Sequence, residues 1–196
     1  MISEKVITQS YSAQEIEGWK DKDYHTPVEK LVKVGKPQYC LPMSLDVNFI
    51  RNEFKIYPDD LWIVTPPKSG TTWTQEIVWL IHTNCDVSKA QCNQFYRIPF
   101  LELGHILPEE LKGPRPNFKT DEKNESNATS FMAHSFEYVQ QLERPRLIKT
   151  HLALEVLPKD LLKTCKVIVL PSYVFLKITN LRNSGFNTTQ CKATQT

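Results

Sequence analysis

A lysine, three hydroxyl residues and a glycine lie together in the segment PKSGTTW. Lys68 supplies a mobile positive charge. The hydroxyls of Ser69, Thr71 and Thr72 can donate to anionic oxygens. Gly70 lets the backbone approach a ligand closely, and a helix that begins after it would add free N–H groups and the positive end of its dipole. These residue types predict a binding loop for a phosphate or a related anion.

The residues around this loop predict the order strand, loop, helix. Residues 61–65 are apolar or β-branched, and the run ends at two prolines. From Thr71 onward the apolar residues follow a helical period. The apolar stripe consists of Trp73, Ile77, Leu80 and Ile81. We expect this stripe to pack against a sheet.

The loop differs from the usual nucleotide-binding loop, in which Gly-Lys-Ser/Thr follows an earlier glycine after four residues. Here Lys68 precedes Gly70, the only glycine of the segment. No acidic residue at a strand end stands out as a Mg²⁺ ligand. A kinase or ATPase of the P-loop class is therefore the weaker interpretation.

The segment PKSGTTW and the preceding run YPDDLWIVT resemble the signature and lead-in of the cytosolic sulfotransferase family. The resemblance implies an α/β fold with a P-loop-like parallel sheet flanked by helices. It also implies the donor 3′-phosphoadenosine 5′-phosphosulfate (PAPS), with Lys68 at its bridging oxygen and Trp73 near its adenine. Pro66 departs from the family, which commonly carries a large residue there, and it fixes φ and removes a donor. The implied cofactor-binding residues are Lys68, Ser69, Gly70, Thr71, Thr72 and Trp73.

A second chemically informative segment is RLIKTHL at residues 146–152. A short strand-like run ends there in Lys149 and His151, and functional groups gather beyond the carboxyl ends of parallel strands. Taken alone, a histidine at a strand end is more often structural than catalytic. The segment also resembles the sulfotransferase KTHLP region, which implies that His151 is the general base and Lys149 a catalytic or positioning cation. We expect His151 and Lys68 to share one crevice.

The segment RIPFLE at residues 97–102 resembles the family's RxPFLE segment, in which the phenylalanine contributes to the acceptor pocket. The resemblance implies a substrate-binding role for Phe100, together with Lys149 and His151. Core packing explains a Phe–Leu pair beside a proline equally well. The implied acceptor is a small molecule with a hydroxyl or amine, namely a phenol, alcohol, steroid or amine.

Composition argues against several other functions. The 196 residues, of which 40% are hydrophobic and 23% charged, are typical of one globular domain. A net charge of +2 gives no bulk attraction to nucleic acid. No apolar run of roughly 18 residues predicts a membrane span, and the N-terminal residues lack a signal-peptide core, so we expect a cytoplasmic protein. The five scattered cysteines form no C-x-x-C pair, which predicts free thiols and no metal site.

The sequence divides into three parts. Residues 1–44 mix charges and prolines and predict loops with short elements. Residues 45–170 carry the sulfotransferase resemblance and begin with a short helix that Ser44 would cap. Residues 171–196 are a polar tail with neither the 3′-phosphate segment nor the dimer motif of the family.

We therefore expect a chain truncated after the N-terminal half of the family's domain. Its sheet would end in an unpaired edge after the strand at residues 165–170. Without charge-assisted contacts to the 3′-phosphate, cofactor affinity would fall. The alternative to an active enzyme is then an inactive isoform that binds the cofactor weakly or acts only as a binding partner. Homodimerisation stays open.

Overall fold

The computed structural model describes residues 8–10, 31–34, 39–42, 44–170 and 177–179. The tail beyond residue 170 lies mostly outside these ranges, and the three-part division of the chain stays a prediction. The strands are β1 (Thr8–Ser10), β2 (Leu31–Val34), β3 (Tyr39–Pro42), β4 (Leu61–Val64), β5 (Leu147–Thr150), β6 (Lys166–Val169) and β7 (Lys177–Thr179). The helices are α1 (Val47–Asn52), α2 (Thr71–His82), α3 (Gln94–Arg97), α4 (Leu103–Ile106), α5 (Ala128–Ala133), α6 (Ser135–Gln141) and α7 (Leu161–Thr164), with 3₁₀ turns at Val87–Ala90 and Glu109–Leu111.

The strands form two sheets. β1, β2 and β3 make an antiparallel sheet in that order. The second sheet has the order β5-β4-β6-β7, and its central strand β4 pairs in parallel with both β5 and β6. This confirms the expected α/β class with parallel strands and flanking helices. The carboxyl ends of β4, β5 and β6 therefore meet at one edge of the sheet.

The pairing of β6 differs from the sequence-based expectation. We expected the strand at residues 165–170 to be an unpaired edge, but β7 pairs with β6 in the antiparallel direction, with Ile178 opposite Ile168. The sheet is consequently mixed, because a segment beyond the family-like sequence supplies the backbone groups that pair with β6.

Strand β4 is buried on both faces, as its continuous apolar sequence predicts. Trp62 and Val64 belong to the larger core cluster, which also contains Ile148 of β5 and Val167 of β6. Ile63 points to the other face and packs with Val78 of α2. The sheet thus has helices and loops packed on both sides, which fixes the register of the three parallel strands.

The face of α2 that meets the sheet is not the one we expected. Trp73, Ile77 and Ile81 are 77%, 55% and 68% exposed. Thr71, Gln75 and Val78 are the buried residues of the helix. Gln75 can be buried because its side-chain amide donates to the carbonyl of Ile98 at 3.1 Å. The expectation that the Trp73 stripe packs on the sheet was therefore wrong.

The cap of α1 also differs from expectation. Asp46, and not Ser44, is the N-cap, and its carboxylate accepts from the backbone N–H groups of Asn48 at 3.1 Å and Phe49 at 2.9 Å. The Ser44 hydroxyl instead lies 3.2 Å from Nδ1 of His105. The helix starts two residues later than a Ser44 cap would require.

Replacing Gly104 with alanine should lower the free energy of unfolding by about 1 to 3 kcal/mol. A Cβ on Gly104 would overlap the backbone carbonyl of Ala133, which cannot rotate away. Gly113→Ala is the matched control, because its Cβ would meet the hydroxyl of Ser130, which can. Urea denaturation of the two variants tests the prediction. Equal stability of both would show that α4 can move away from α5 at little cost.

Candidate active site

A cavity of about 430 Å³ lies at the edge where β4, β5 and β6 end. One wall comes from the end of β4 and the residues after it, Val64 to Pro67. The opposite walls come from His151 to Glu155 after β5 and from Val169 and Leu170 at the end of β6. The lining is mainly apolar, with Thr65, His151 and Glu155 as the residues that carry polar side chains.

The turn between β4 and α2 is held in an unusual backbone conformation. Lys68 has φ 63° and Gly70 has φ 87°, so both are in the left-handed region. Gly70 adopts this region without cost, whereas a lysine does so under strain that is typical of functional loops. The Ser69 hydroxyl donates to the carbonyl of Pro66 at 2.7 Å, which closes the turn. Lys68 is exposed and directly follows Pro67 of the cavity wall.

The other residues expected to bind the donor surround the start of α2. Thr71 is buried, and its hydroxyl oxygen lies 2.6 Å from that of Thr65. Thr72 and Trp73 are exposed, and the carbonyl of Thr72 accepts from the side chain of Gln94 at 3.1 Å. The hydroxyls of Ser69 and Thr71 therefore already have partners within the protein, while the first-turn N–H groups of the helix lack intrahelical acceptors.

His151 is oriented by the strand next to it. Its Nδ1 lies 2.5 Å from the backbone carbonyl of Thr65 and 3.2 Å from the hydroxyl of the same residue. Because a carbonyl only accepts, Nδ1 carries the proton and Nε2 keeps a lone pair. Within the described ranges, no residue forms a hydrogen bond with Nε2. No pattern in the sequence indicated this role of Thr65.

The electrostatic surroundings keep His151 neutral. Burial and the positive charge of Lys149 lower the pKa of His151, and the hydrogen bond to the Thr65 carbonyl opposes this shift. The lowered pKa means that the imidazole is unprotonated near pH 7. His151 can therefore accept a proton at Nε2.

Phe100 contacts Lys149 and His151, two of the three basic residues that the sequence singled out. The ammonium of Lys149 lies 3.3 Å from the centre of the Phe100 ring, and the ring meets His151 edge to face at 4.9 Å. Burial lowers the pKa of Lys149 to about 8, against the attraction of Glu102. Lys149 thus contacts Phe100, and Phe100 contacts His151, although neither Lys149 nor Phe100 contributes to the cavity wall described above.

Glu102, like Thr65, is a residue at this site that sequence reasoning missed. It is 2% exposed, and its carboxyl accepts from the backbone N–H of His151 at 2.7 Å and from the hydroxyl of Thr150 at 2.8 Å. Burial raises its pKa to about 7, while these hydrogen bonds and the charge of Lys149 act in the opposite direction. The available signal was an acid that directly follows the apolar run of RIPFLE.

The raised pKa of Glu102 predicts a pH-dependent stability. Its pKa of about 7 exceeds the ordinary value of 4.5, so folding favours the protonated form. The resulting stabilisation is complete below pH 4.5 and is lost as the pH rises through 7, with a size of about 3 kcal/mol. Glu102→Gln cannot titrate, so the difference in unfolding free energy between wild type and variant should change by this amount between pH 4 and 7.5. A constant difference in urea denaturation would contradict it.

Two further findings concern the described part of the chain. There, no three residues of the types His, Cys, Asp and Glu come together in a group that could hold a metal ion. In the same residues, no helix is long and apolar enough to cross a bilayer.

Comparisons with known proteins agree on one family. A family model described as the sulfotransferase domain matches residues 58–171, which is more than half of the chain. Luciferin sulfotransferase of Photinus pyralis is 36% identical over 125 residues, which cover 61% of this chain and 31% of that protein. Sulfotransferase 1E1 of Homo sapiens is 36% identical over 119 residues, which cover 60% of this chain and 32% of that protein. The chain therefore spans about a third of the length of these curated relatives.

Solved structures show the same fold. Retinol dehydratase in complex with androsterone and the inactive cofactor PAP matches with a TM-score of 0.67 and 22% identity, over 86% of this chain and 51% of that one. Its complex with retinol and PAP matches with a TM-score of 0.62 and 20% identity, over 86% and 52% of the two chains. At these identities the likeness concerns the fold alone.

Proposed function

Because this chain belongs to the sulfotransferase domain family, we propose that it acts in the transfer of a sulfuryl group from PAPS to a hydroxyl or amine of a small molecule. One observation carries the proposal: Pro66 and Pro67, which begin the turn that leads into α2, line the same cavity as His151. A helix N-terminus favours an anionic donor, and a neutral imidazole can accept the proton of the acceptor.

The turn after β4 suits the phosphosulfate end of the donor. When bound, PAPS supplies the sulfuryl group and a phosphate oxygen as the leaving group. The first-turn N–H groups of α2 would hold its anionic oxygens, and the open space around Gly70 allows a close approach. Lys68 would stabilise the negative charge that grows on the leaving oxygen. The exposed ring of Trp73 would pack near the adenine.

His151 is the general base in this proposal. Its Nε2 would take the proton of the acceptor's hydroxyl or amine, while Nδ1–H stays bound to the carbonyl of Thr65. That hydrogen bond stabilises the positive charge on the ring after the proton has arrived. Burial lowers the pKa of Lys149 to about 8, so its side chain is still a cation at pH 7. In this role Lys149 would position the acceptor beside His151.

The acceptor we propose is an apolar small molecule with one reactive polar group. A volume of about 430 Å³ is in the range of cavities that hold such ligands, and the lining is mostly apolar. The solved relatives bind androsterone and retinol, which are molecules of this kind. Phe100 would contribute to acceptor binding by packing against the ring of His151. Phenols, alcohols, steroids and amines form the panel to test.

Lys68→Met should lower kcat by about 10²- to 10³-fold, since it removes one stabilising charge from the leaving group. Lys119→Met, which changes an exposed lysine that does not line the cavity, serves as the control. A transfer assay with radiolabelled PAPS measures both variants. A kcat of Lys68→Met equal to that of the control would remove the assigned role.

Binding without transfer is the second candidate function. It is favoured by the cavity lining, which includes neither Lys68 nor Lys149, the two lysines expected to act in transfer. Titration with PAP, combined with the transfer assay on the acceptor panel, separates the two functions. Transfer to any acceptor supports the enzyme, PAP binding with no transfer supports a binding protein, and the absence of both overturns the proposal.

A cytoplasmic location belongs to the same proposal, and homodimerisation is a further property to be measured. The sequence predicts the location, and it leaves the oligomeric state open because the family's dimer motif is not found in it. Cell fractionation and light scattering of the purified protein measure the two properties directly.

A further inference from the structure

Glu102 is a buried carboxyl group that the proposed mechanism does not use. It occupies the position just before α4, yet its side chain does not cap that helix. Instead it reaches across to the end of β5. A carboxyl group that is 2% exposed is costly to bury unless hydrogen bonds compensate for the lost water, and Glu102 obtains such bonds from Thr150 and His151.

The contacts of Glu102 begin where a strand-like pairing ends. Residues 99–101 run beside β5, with the N–H of Lys149 donating to Pro99 at 3.0 Å and the N–H of Leu101 donating to Lys149 at 2.9 Å. Continued parallel pairing would bring the N–H of His151 to the carbonyl of Leu101. That carbonyl accepts from the hydroxyl of Ser135 at 3.1 Å. The N–H of His151 is bonded to the Glu102 carboxyl at 2.7 Å.

The other carboxyl oxygen of Glu102 holds the next part of the turn. It accepts from the hydroxyl of Thr150, and that hydroxyl in turn accepts from the N–H of Leu152 at 3.0 Å. The backbone on both sides of His151 is thereby tied to one side chain. Since the ring is held separately by Thr65, the two contacts together determine where Nε2 lies at the cavity.

We propose that Glu102 is a positioning residue, whose carboxyl replaces a missing strand partner and sets the backbone of His151 so that its imidazole faces the acceptor. The inference rests on the proposed function, because it assigns Glu102 to the same site. The proposal predicts that the transfer rate depends more on the length of the side chain at position 102 than on its charge. A misplacement of about 1 Å at a reacting group can lower the rate by about 100-fold.

Two conservative variants of Glu102 separate the effect of side-chain length from the effect of charge. Glu102→Gln keeps the length of the side chain and an oxygen that accepts from the N–H of His151, but it cannot ionise. Glu102→Asp keeps the acid but is one methylene shorter. Positioning predicts that Glu102→Gln retains most of the wild-type kcat, whereas Glu102→Asp loses about 10- to 100-fold with little change in the Kd for PAP.

Ser135→Ala is the control for a purely structural effect. The buried hydroxyl of Ser135 accepts from the N–H of Gly104 at 3.0 Å and donates to the carbonyl of Leu101. Removing this hydroxyl loosens the segment around Glu102 but removes no contact of His151. It should leave kcat close to that of the wild type. A loss in Ser135→Ala equal to that in Glu102→Asp would overturn the proposal, and so would a Glu102→Gln variant as impaired as Glu102→Asp.

The ¹⁵N chemical shifts of the His151 ring give a readout that does not depend on transfer. They report the tautomer and the ring pKa, and both should change in Glu102→Asp but stay near wild type in Glu102→Gln. Unchanged shifts in Glu102→Asp would overturn the positioning role even if transfer occurs. If the wild type transfers no sulfuryl group to any acceptor, the proposed function fails, while these shifts still decide whether Glu102 positions His151.

Discussion

Replacing His151 with alanine should lower the rate of sulfuryl transfer by about 10²- to 10⁴-fold, the usual contribution of a general base. The expectation follows from the geometry of the ring, whose Nδ1 is occupied by the carbonyl of Thr65 and whose Nε2 is left to accept a proton. PAP should bind to the variant and to the wild type with equal affinity, because the turn that we propose for binding the donor belongs to another segment of the chain. Single-turnover transfer of the radiolabelled sulfuryl group from PAPS is the appropriate measurement.

The matched control is His82→Ala, because His82 is exposed at the end of α2 and does not line the cavity. The pH profile gives a second test. Burial and Lys149 lower the pKa of His151 from 6.5, so the transfer rate should fall on the acid side only below pH 6.5. Transfer by His151→Ala at the rate of the control would mean that another group takes the proton.

Arg146→Met should lower the free energy of unfolding by about 3 to 5 kcal/mol. The guanidinium of Arg146 makes two hydrogen bonds with Asp60, at 2.9 Å and 2.5 Å, and the two side chains are 2% and 0% exposed. It also donates to the carbonyls of Val139 at 3.3 Å and Lys55 at 2.9 Å. Methionine would leave a buried carboxylate and two carbonyls without this partner, and that desolvation accounts for the cost.

The neighbouring ion pair supplies the control. Arg144 makes two hydrogen bonds with Asp59, at 2.9 Å and 2.7 Å, but its side chain is 48% exposed. Arg144→Met should therefore cost only about 0 to 1 kcal/mol. Guanidinium denaturation of both variants measures the difference. Equal costs would show that water reaches the Asp60–Arg146 pair after all.

The Asp60–Arg146 pair also links stability to the site. Asp60 directly precedes β4 and Arg146 directly precedes β5, and the N–H of Leu61 donates to the carbonyl of Arg146 at 2.8 Å. The pair thus fixes the register in which Val64 lies opposite Thr150. That register places Thr65 beside His151, so a shift by one residue would separate the ring from its carbonyl partner.

The sequence by itself determined the parts of this protein that depend on neighbouring residues. The strand at Leu61–Val64, the turn and the helix at Thr71–His82 follow from a change in apolar period across two prolines and a glycine. The position of His151 just beyond a strand follows in the same way from a short apolar run. Family membership was readable too, because it depends on consecutive residues in the segment PKSGTTW.

Only the tertiary structure decided which faces and partners these elements use. Periodicity predicts the apolar stripe of α2, but the face that packs on the sheet is the one with Gln75 and Val78. Gln75 can be buried there because its side-chain amide donates to the carbonyl of Ile98. The two contacts that orient His151 join residues 49 and 86 positions apart, to Glu102 and Thr65. Such contacts exist only after distant segments have packed together, so no local pattern of residues contains them.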